Sequence, residues 1–271
     1  MLPEFELEEP RSLKDALAAL SNGDGNGVPL AGGTNLFVDL RAGRAKAERL
    51  VSLGQVDELC GIDLTGGQVS LGARTTLSQV IANEELRGAA PALVAAAKVF
   101  AGTMVRNVAT VAGNICSASP AADLVPPLMA LGAEVVLEGP GGERTVPLNS
   151  FLVGYHELDR RPDELVTRVC WPARPANSSH LFYKLAMRRG DAITVVGLSV
   201  LVAADGGKCS LARIALGAVA PVVIRAEEAE ATLQGTELSD AAIAAAADQA
   251  EAASTPIDDV RASAEYRLHA V

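Results

Sequence analysis

Between residues 109 and 120 the chain reads Ala-Thr-Val-Ala-Gly-Asn-Ile-Cys-Ser-Ala-Ser-Pro. A run of small residues of this length suits a main chain that approaches a bound molecule closely. Asn114 and the hydroxyls of Thr110, Ser117 and Ser119 add hydrogen-bonding groups, and Asp123 follows, just ahead of an apolar run over 124–131. A carboxylate there can serve a helix as N-cap or first-turn charge, worth about 1 kcal/mol. It can equally accept hydrogen bonds from sugar-like hydroxyls. Taken alone, the residue favours the capping role.

A second small-residue turn lies upstream, Ala31-Gly32-Gly33-Thr34-Asn35-Leu36, after a short strand predicted at 28–30. Two glycines let the backbone turn tightly and aim its N–H groups at an anion. Thr34 and Asn35 contribute a hydroxyl and an amide, and the following helical turn a partial positive charge. These parts suit a phosphate or pyrophosphate. The turn is neither a G-x-G-x-x-G fingerprint nor a P-loop, because no Gly-Lys-Ser/Thr follows. Alone, a Gly-Gly turn before a helix is more often only a turn.

The surrounding pattern divides the chain in three. Over 1–53, a helix capped by Ser12, a Gly/Asn/Asp turn over 21–27, a helical turn over 36–40 and strands at 28–30 and 49–53 make a small α/β unit. Over 54–172 come strands at 68–72, 134–137, 144–146 and 164–171, with helices over 76–83, 91–100 and 122–131. The stretch 109–120 reads as irregular. A Pro/Ser/Asn linker over 172–179 precedes a change in composition: three successive strands (180–188, 194–204, 209–219), then helices over 225–233, 240–253 and 263–271. That order predicts a separate α+β domain over 173–271. The acidic outer faces of the Ala-rich helices read as solvated, or as turned toward a partner chain.

Composition removes several function classes. The net charge of -10 repels phosphate backbones, and no basic cluster with interleaved aromatics argues for nucleic acid. No apolar run reaches membrane-spanning length, and the N-terminus lacks a basic and apolar leader, so a cytoplasmic protein without direct membrane insertion is expected. Aromatics make up 3%, so the core must be built from Ala, Val, Leu and Ile. Cys60, Cys116, Cys170 and Cys209 form no close pair, and His156, His180 and His269 are scattered, which predicts no metal site in this chain. Cys60, Cys170 and Cys209 read as small buried apolar residues.

Together the two motifs resemble the FAD-binding medium subunit of the carbon monoxide dehydrogenase and xanthine dehydrogenase family of molybdenum hydroxylases. The resemblance rests on A-G-G-T-N-L at 31–36 and more strongly on V-R-N-V-A-T-V-A-G-N-I-C-S-A-S-P-A-A-D-L-V-P at 105–126. The stretch F-Y-K-L-A-M-R-R at 182–189 fits the family's C-terminal domain, and the match runs through essentially the whole chain. It implies an α+β chain: the two-part FAD-binding fold of the vanillyl-alcohol oxidase type plus a C-terminal domain with a three-stranded sheet and helices. It implies non-covalent FAD held through Ala31, Gly32, Gly33, Thr34, Asn35 and Leu36, and through Thr110, Ala112, Gly113, Asn114 and Ser119. Asp123 would bond flavin-side hydroxyls. Lys184 would lie near the flavin, although by itself it reads as a solvated strand lysine.

The resemblance also implies no catalytic acid or nucleophile here. Substrate chemistry would occur on a large molybdenum-cofactor subunit. Electrons would pass through a small [2Fe–2S] subunit to this FAD and on to NAD, a quinone or oxygen, in a dimer of heterotrimers. The chain departs from the family pattern at Val111-Ala112-Gly113-Asn114, where many relatives have a second glycine in place of Ala112. A positive φ there would strain the alanine. The final helix is also short. The rival readings are a stand-alone flavin oxidase of the vanillyl-alcohol type, with FAD attached through a residue such as Cys116, and an assembly module without cofactor.

Overall fold

The computed structural model describes residues 2–21 and 27–271, so most of the turn expected over 21–27 lies outside the described residues. Strands β1 (Glu6–Glu8), β2 (Gly27–Leu30) and β3 (Arg49–Ser52) form a parallel sheet in the order β1-β3-β2, with α1 (Leu13–Ser21) and α2 (Leu36–Arg41) in the connections. The Ser12 hydroxyl oxygen accepts the Asp15 N–H at 3.1 Å, as a cap should, and α1 buries Ala16, Ala19 and Leu20. The acidic strand β1 carries no apolar period; it is held by pairing with β3 and by a 2.9 Å ion pair between Glu8 and Arg49.

The next stretch contributes β4 (Ile62–Asp63), β5 (Gln68–Gly72), β6 (Glu134–Gly139) and β7 (Gly142–Pro147). A small hairpin of β8 (Leu152–Gly154) and β9 (Glu157–Leu158) follows, then β10 (Leu165–Pro172). The antiparallel sheet runs β4-β5-β10-β6-β7. Seven helices accompany it: α3 (Leu77–Ala82), α4 (Glu84–Ala89), α5 (Pro91–Val99), α6 (Thr103–Arg106), α7 (Val111–Cys116), α8 (Val125–Leu131) and α9 (Leu148–Phe151). Leu and Val from these elements pack with alanines into one core, and Trp171, the only tryptophan, is fully buried in it.

The C-terminal part holds β11 (Ser178–Ala186), β12 (Thr194–Asp205), β13 (Lys208–Gly217) and β14 (Ile224–Arg225), followed by α10 (Glu227–Leu233), α11 (Asp240–Ala252) and α12 (Ala264–Ala270). Its antiparallel sheet has four strands, not the expected three; β14 is two residues long and carries no readable alternation. The helices cover one face around a second core that includes Leu216, Val219 and Leu233. On the other face, α8 packs against β12 and β13.

Three further expectations are corrected. Residues 111–116 form α7 and are not irregular: the Thr110 hydroxyl oxygen accepts the Gly113 N–H at 3.0 Å and starts a helix through residues of modest propensity. Ala112 consequently has helical backbone and is absent from the positive-φ residues, so no strain attaches to it. Cys60 faces solvent, because it ends a turn of 3-10 helix and enters no strand face.

One ion pair ties the central sheet together. Arg144 on β7 forms a two-pronged contact with Glu164, Nε to Oε1 at 2.7 Å and Nη2 to Oε2 at 2.8 Å, and also reaches Asp159 at 2.9 Å. Hydrogen bonding to Arg144 lowers the Glu164 carboxyl to about 2 against the effect of burial. Because the folded-state value lies below the ordinary 4.5, this stabilisation is complete above that pH and is lost as the pH falls toward about 2. Glu164→Gln should therefore cost roughly 2–3 kcal/mol near neutral pH. In urea titrations, its deficit against the unaltered chain should shrink as the pH drops below about 4.5.

Candidate functional site

The two motifs meet. A β-carbon on Gly32 would stand 2.0 Å from the Val108 carbonyl oxygen and 3.0 Å from the Ala109 Cα, so the first turn lies directly on the main chain entering the second. Only glycine permits that approach. Gly33 has φ +69° and a Phe37 ring where its side chain would be, which turns the chain into α2. Thr76 and Thr110 form an isolated antiparallel bridge, with Leu77 N–H donating to Ala109 O and Val111 N–H to Thr75 O. That bridge fixes the start of α7 beside the first turn.

The hydrogen-bond inventory of these loops is incomplete in an informative way. Among the described residues, nothing in the chain accepts the N–H groups of Gly32, Gly33, Thr34, Asn35, Thr110 or Ala112. The Thr34 and Asn35 side chains form no internal hydrogen bond either, and Asn35 does not cap α2 with its side chain. Ala31 and Asn35 are exposed, while Gly32, Gly33, Thr34 and Leu36 are half-buried. Thr110 and Ala112 are buried, Gly113 is exposed, and Asn114 and Ser119 are half-buried. Donors left without an internal partner at these positions are free to bond water or a ligand. They are neutral N–H and O–H groups with no Lys or Arg among them, a donor set that fits a diphosphate and a polyol chain.

Asn114 is divided between structure and site. Its Oδ1 accepts the Leu124 N–H at 3.2 Å, while its amide N–H groups donate to nothing among the described residues. Asp123 does not cap α8; the N-cap is Leu124 and no side chain bonds it. Instead the Asp123 carboxylate is 2.6 Å from Lys184 Nζ and accepts the Thr194 hydroxyl through its other oxygen. All three groups are buried: Asp123 7%, Lys184 8% by side chain and Thr194 3% exposed. Lys184 is therefore not the solvated strand lysine that its sequence setting suggested. Burial pushes the Asp123 carboxyl up, and the Lys184 ammonium and the Thr194 hydroxyl oppose that push.

Several residues outside the motifs complete the arrangement. Lys184 pairs across β11 and β12 with Gly197, which in turn faces Gly217 on β13. A side chain on Gly217 would press on Pro126 Cγ at 3.2 Å and Pro120 O at 3.3 Å, so the two glycines let the sheet pass close beneath the second motif. Ala218 N–H donates to Pro120 O at 2.7 Å. Arg267 of α12 donates to Val195 O at 2.9 Å and Ala218 O at 2.7 Å and meets Asp259 at 2.8 Å, supporting both from behind. Beside Lys184, an open cleft of about 580 Å³ lies between α5 and the end of β11, lined by Val99, Tyr183, Met187 and Arg188 among others. Sequence reasoning missed Thr194, whose only signal is its position opening β12. Among the described residues no group of three or more His, Cys, Asp or Glu side chains gathers, and no helix is long and apolar enough to cross a membrane.

Comparison with known proteins matches this architecture. Residues 3–174 match the family described as the FAD binding domain in molybdopterin dehydrogenase, and residues 181–271 match the CO dehydrogenase flavoprotein C-terminal domain. The chain is 34% identical over 265 residues to the carbon monoxide dehydrogenase medium chain of Hydrogenophaga pseudoflava, covering 98% of this chain and 92% of the relative. It is also 34% identical over 246 residues to a putative xanthine dehydrogenase FAD-binding subunit of Escherichia coli, covering 89% of this chain and 84% of that one. The solved carbon monoxide dehydrogenase of H. pseudoflava superimposes with a TM-score of 0.96 at 35% identity, over 100% of this chain and 94% of the other. Quinoline 2-oxidoreductase of Pseudomonas putida gives 0.91 at 29% identity, over 99% and 93%. The chain belongs to the FAD-binding medium subunits of the molybdopterin dehydrogenases, the family of the carbon monoxide dehydrogenase flavoprotein.

Proposed function

We propose that the chain holds one FAD, without a covalent bond, along the line where residues 31–36 and 110–119 touch, in the manner of a vanillyl-alcohol oxidase-type FAD fold. The observation that carries this reading is the row of unspent N–H donors on two loops in main-chain contact. Gly32, Gly33, Thr34 and Asn35 would bind the diphosphate; Thr110, Ala112 and the Asn114 side-chain amide would bind the remaining phosphate and polyol oxygens. Gly113, whose N–H is spent on Thr110, would leave room for them, and Ala31 and Leu36 would shape the turn. FAD supplies an exchange of one or two electrons, and the protein's part is to bind, orient and shield it.

In the same reading, the divisions 1–53, 54–172 and 173–271 act as two halves of the flavin cradle and a covering domain. Asp123 and Lys184 neutralise each other and serve as a buried tie between the cradle and the C-terminal sheet, rather than as direct flavin-hydroxyl ligands. The working assembly would be a cytoplasmic dimer of heterotrimers, with a large molybdenum-cofactor subunit and a small [2Fe–2S] subunit delivering electrons to this chain. The stand-alone oxidase is disfavoured by Cys116: burial pushes its thiol up to about 11, leaving it protonated and a poor nucleophile for linking a flavin.

Three measurements check these statements. Acid precipitation of the native protein should release roughly one FAD per chain into the supernatant and leave a colourless pellet; a yellow pellet would favour the covalent oxidase. Gly32→Ala drives a methyl into the Val108 carbonyl and should yield protein purified with little flavin, read from its visible absorbance. Retention of full flavin in that variant would remove the loop contact from the site. Lys184→Met should cost about 3 kcal/mol in denaturant titrations by stranding a buried carboxyl, with most of the loss recovered on adding Asp123→Asn.

A further inference from the structure

The hairpin of β8 and β9 turns through Tyr155 and His156, outside both motifs. His156 has left-handed backbone at φ +57°, unfavourable for a residue with a β-carbon. It is held there by contacts to the second motif. Its main-chain N–H donates to Ala118 O at 3.1 Å, and its ring Nδ1 lies 2.6 Å from Ser117 O. A carbonyl only accepts, so Nδ1 carries the proton and donates. The Tyr155 ring meets the imidazole edge-on, with centroids 4.1 Å apart, and limits its rotation. Ala118 is itself left-handed, at φ +44°, and buried.

These contacts leave a single gap. Ser117 N–H donates to Gly113 O, Ala118 N–H to Ile115 O, and the carbonyls of Ser119 and Pro120 accept Ala122 N–H and Ala218 N–H. The Ser119 hydroxyl oxygen accepts Ala121 N–H at 3.3 Å, and the Ser117 hydroxyl donates to Asn114 O at 2.7 Å. With the carbonyls of Ser117 and Ala118 taken by His156, every main-chain group from 117 to 120 has a partner among the described residues except the Ser119 N–H. That N–H shares a rigid peptide unit with the Ala118 carbonyl and points the opposite way. Tying the carbonyl to His156 therefore fixes the direction of the one donor left for a ligand.

We propose that His156 is a positioning residue for FAD: through Ser117 and Ala118 it sets the peptide unit from which the Ser119 N–H binds the cofactor. The proposal rests on the assignment of 110–119 to the flavin site. His156→Gly removes the left-handed penalty and keeps the main-chain N–H, but deletes the imidazole whose bond to Ser117 O seats that N–H on Ala118 O; His156→Asn returns an N–H at the position of Nδ1.

The test uses the assembled protein stripped of FAD and titrated with FAD, following flavin fluorescence and the visible circular dichroism of the bound flavin. Melting of the FAD-free protein is followed in parallel. The Gly variant should bind FAD about tenfold more weakly, the loss of one well-placed hydrogen bond. Its bound flavin should show an altered dichroism band, its FAD-free melting temperature should not fall, and the Asn variant should recover most of the affinity. Affinity within twofold of the unaltered protein in the Gly variant would overturn the proposal. So would weakened binding with a matching fall in the FAD-free melting temperature and no recovery in the Asn variant, which would mark His156 as structural only. If the unaltered protein bound no FAD, the flavin reading itself would fall, a result distinct from either.

Discussion

Everything along the line where residues 31–36 meet 108–119 depends on two main chains lying in van der Waals contact at Gly32. A side chain at Gly32 would hold the loops apart by the width of a methyl group or more, and their N–H groups would no longer form one row. The parallel sheet of the first unit brings Gly32 to this place, and the Thr76–Thr110 bridge brings the second loop to meet it. Neither loop is long. Each is positioned by regular structure on both sides, which is how irregular main chain is held without a rigid core of its own.

A second constraint acts from the C-terminal side. Asp123, Lys184 and Thr194 leave water together, and the charge pair is tolerable because each charge has a partner at hydrogen-bond distance. Removing one partner strands the other, so the tie specifies how the C-terminal sheet sits against the cradle more than it adds net stability. Facing glycines at 197 and 217 supply the matching shape, and Arg267 braces Val195 and Ala218 from the opposite face. Charge, shape and brace all converge on residues 120–126.

Much of this was legible in the sequence because its signals are local. The Ser12 cap, the Gly-Gly turn, the hairpin through residues 139–142 and the three long strands of the C-terminal sheet are set by neighbours a few residues apart. Most of the failures share a cause, partners distant in sequence. Asp123 read as a helix cap, yet its true partners lie 61 and 71 residues away. Strands β1 and β14 exist only because a longer neighbour offers a free edge. Helix α7 was obscured by Gly113 and Asn114, although Thr110, three residues ahead of Gly113, carried a cap signal. The two motifs picked out loops that the fold brings into contact, but the contact at Gly32 and the bond from Thr194 to Asp123 belong to three-dimensional packing.

The donor row contains no cation, and the chain around it carries a net charge of -10. A negatively charged dinucleotide approaching such a surface from a distance is repelled, and it is held only once short-range hydrogen bonds form. At the proposed site that repulsion opposes the approach and the bound state alike, and salt that screens it favours both. A site whose affinity rests on many short contacts made together suits a group that stays bound, unlike a substrate that must enter and leave at every turnover.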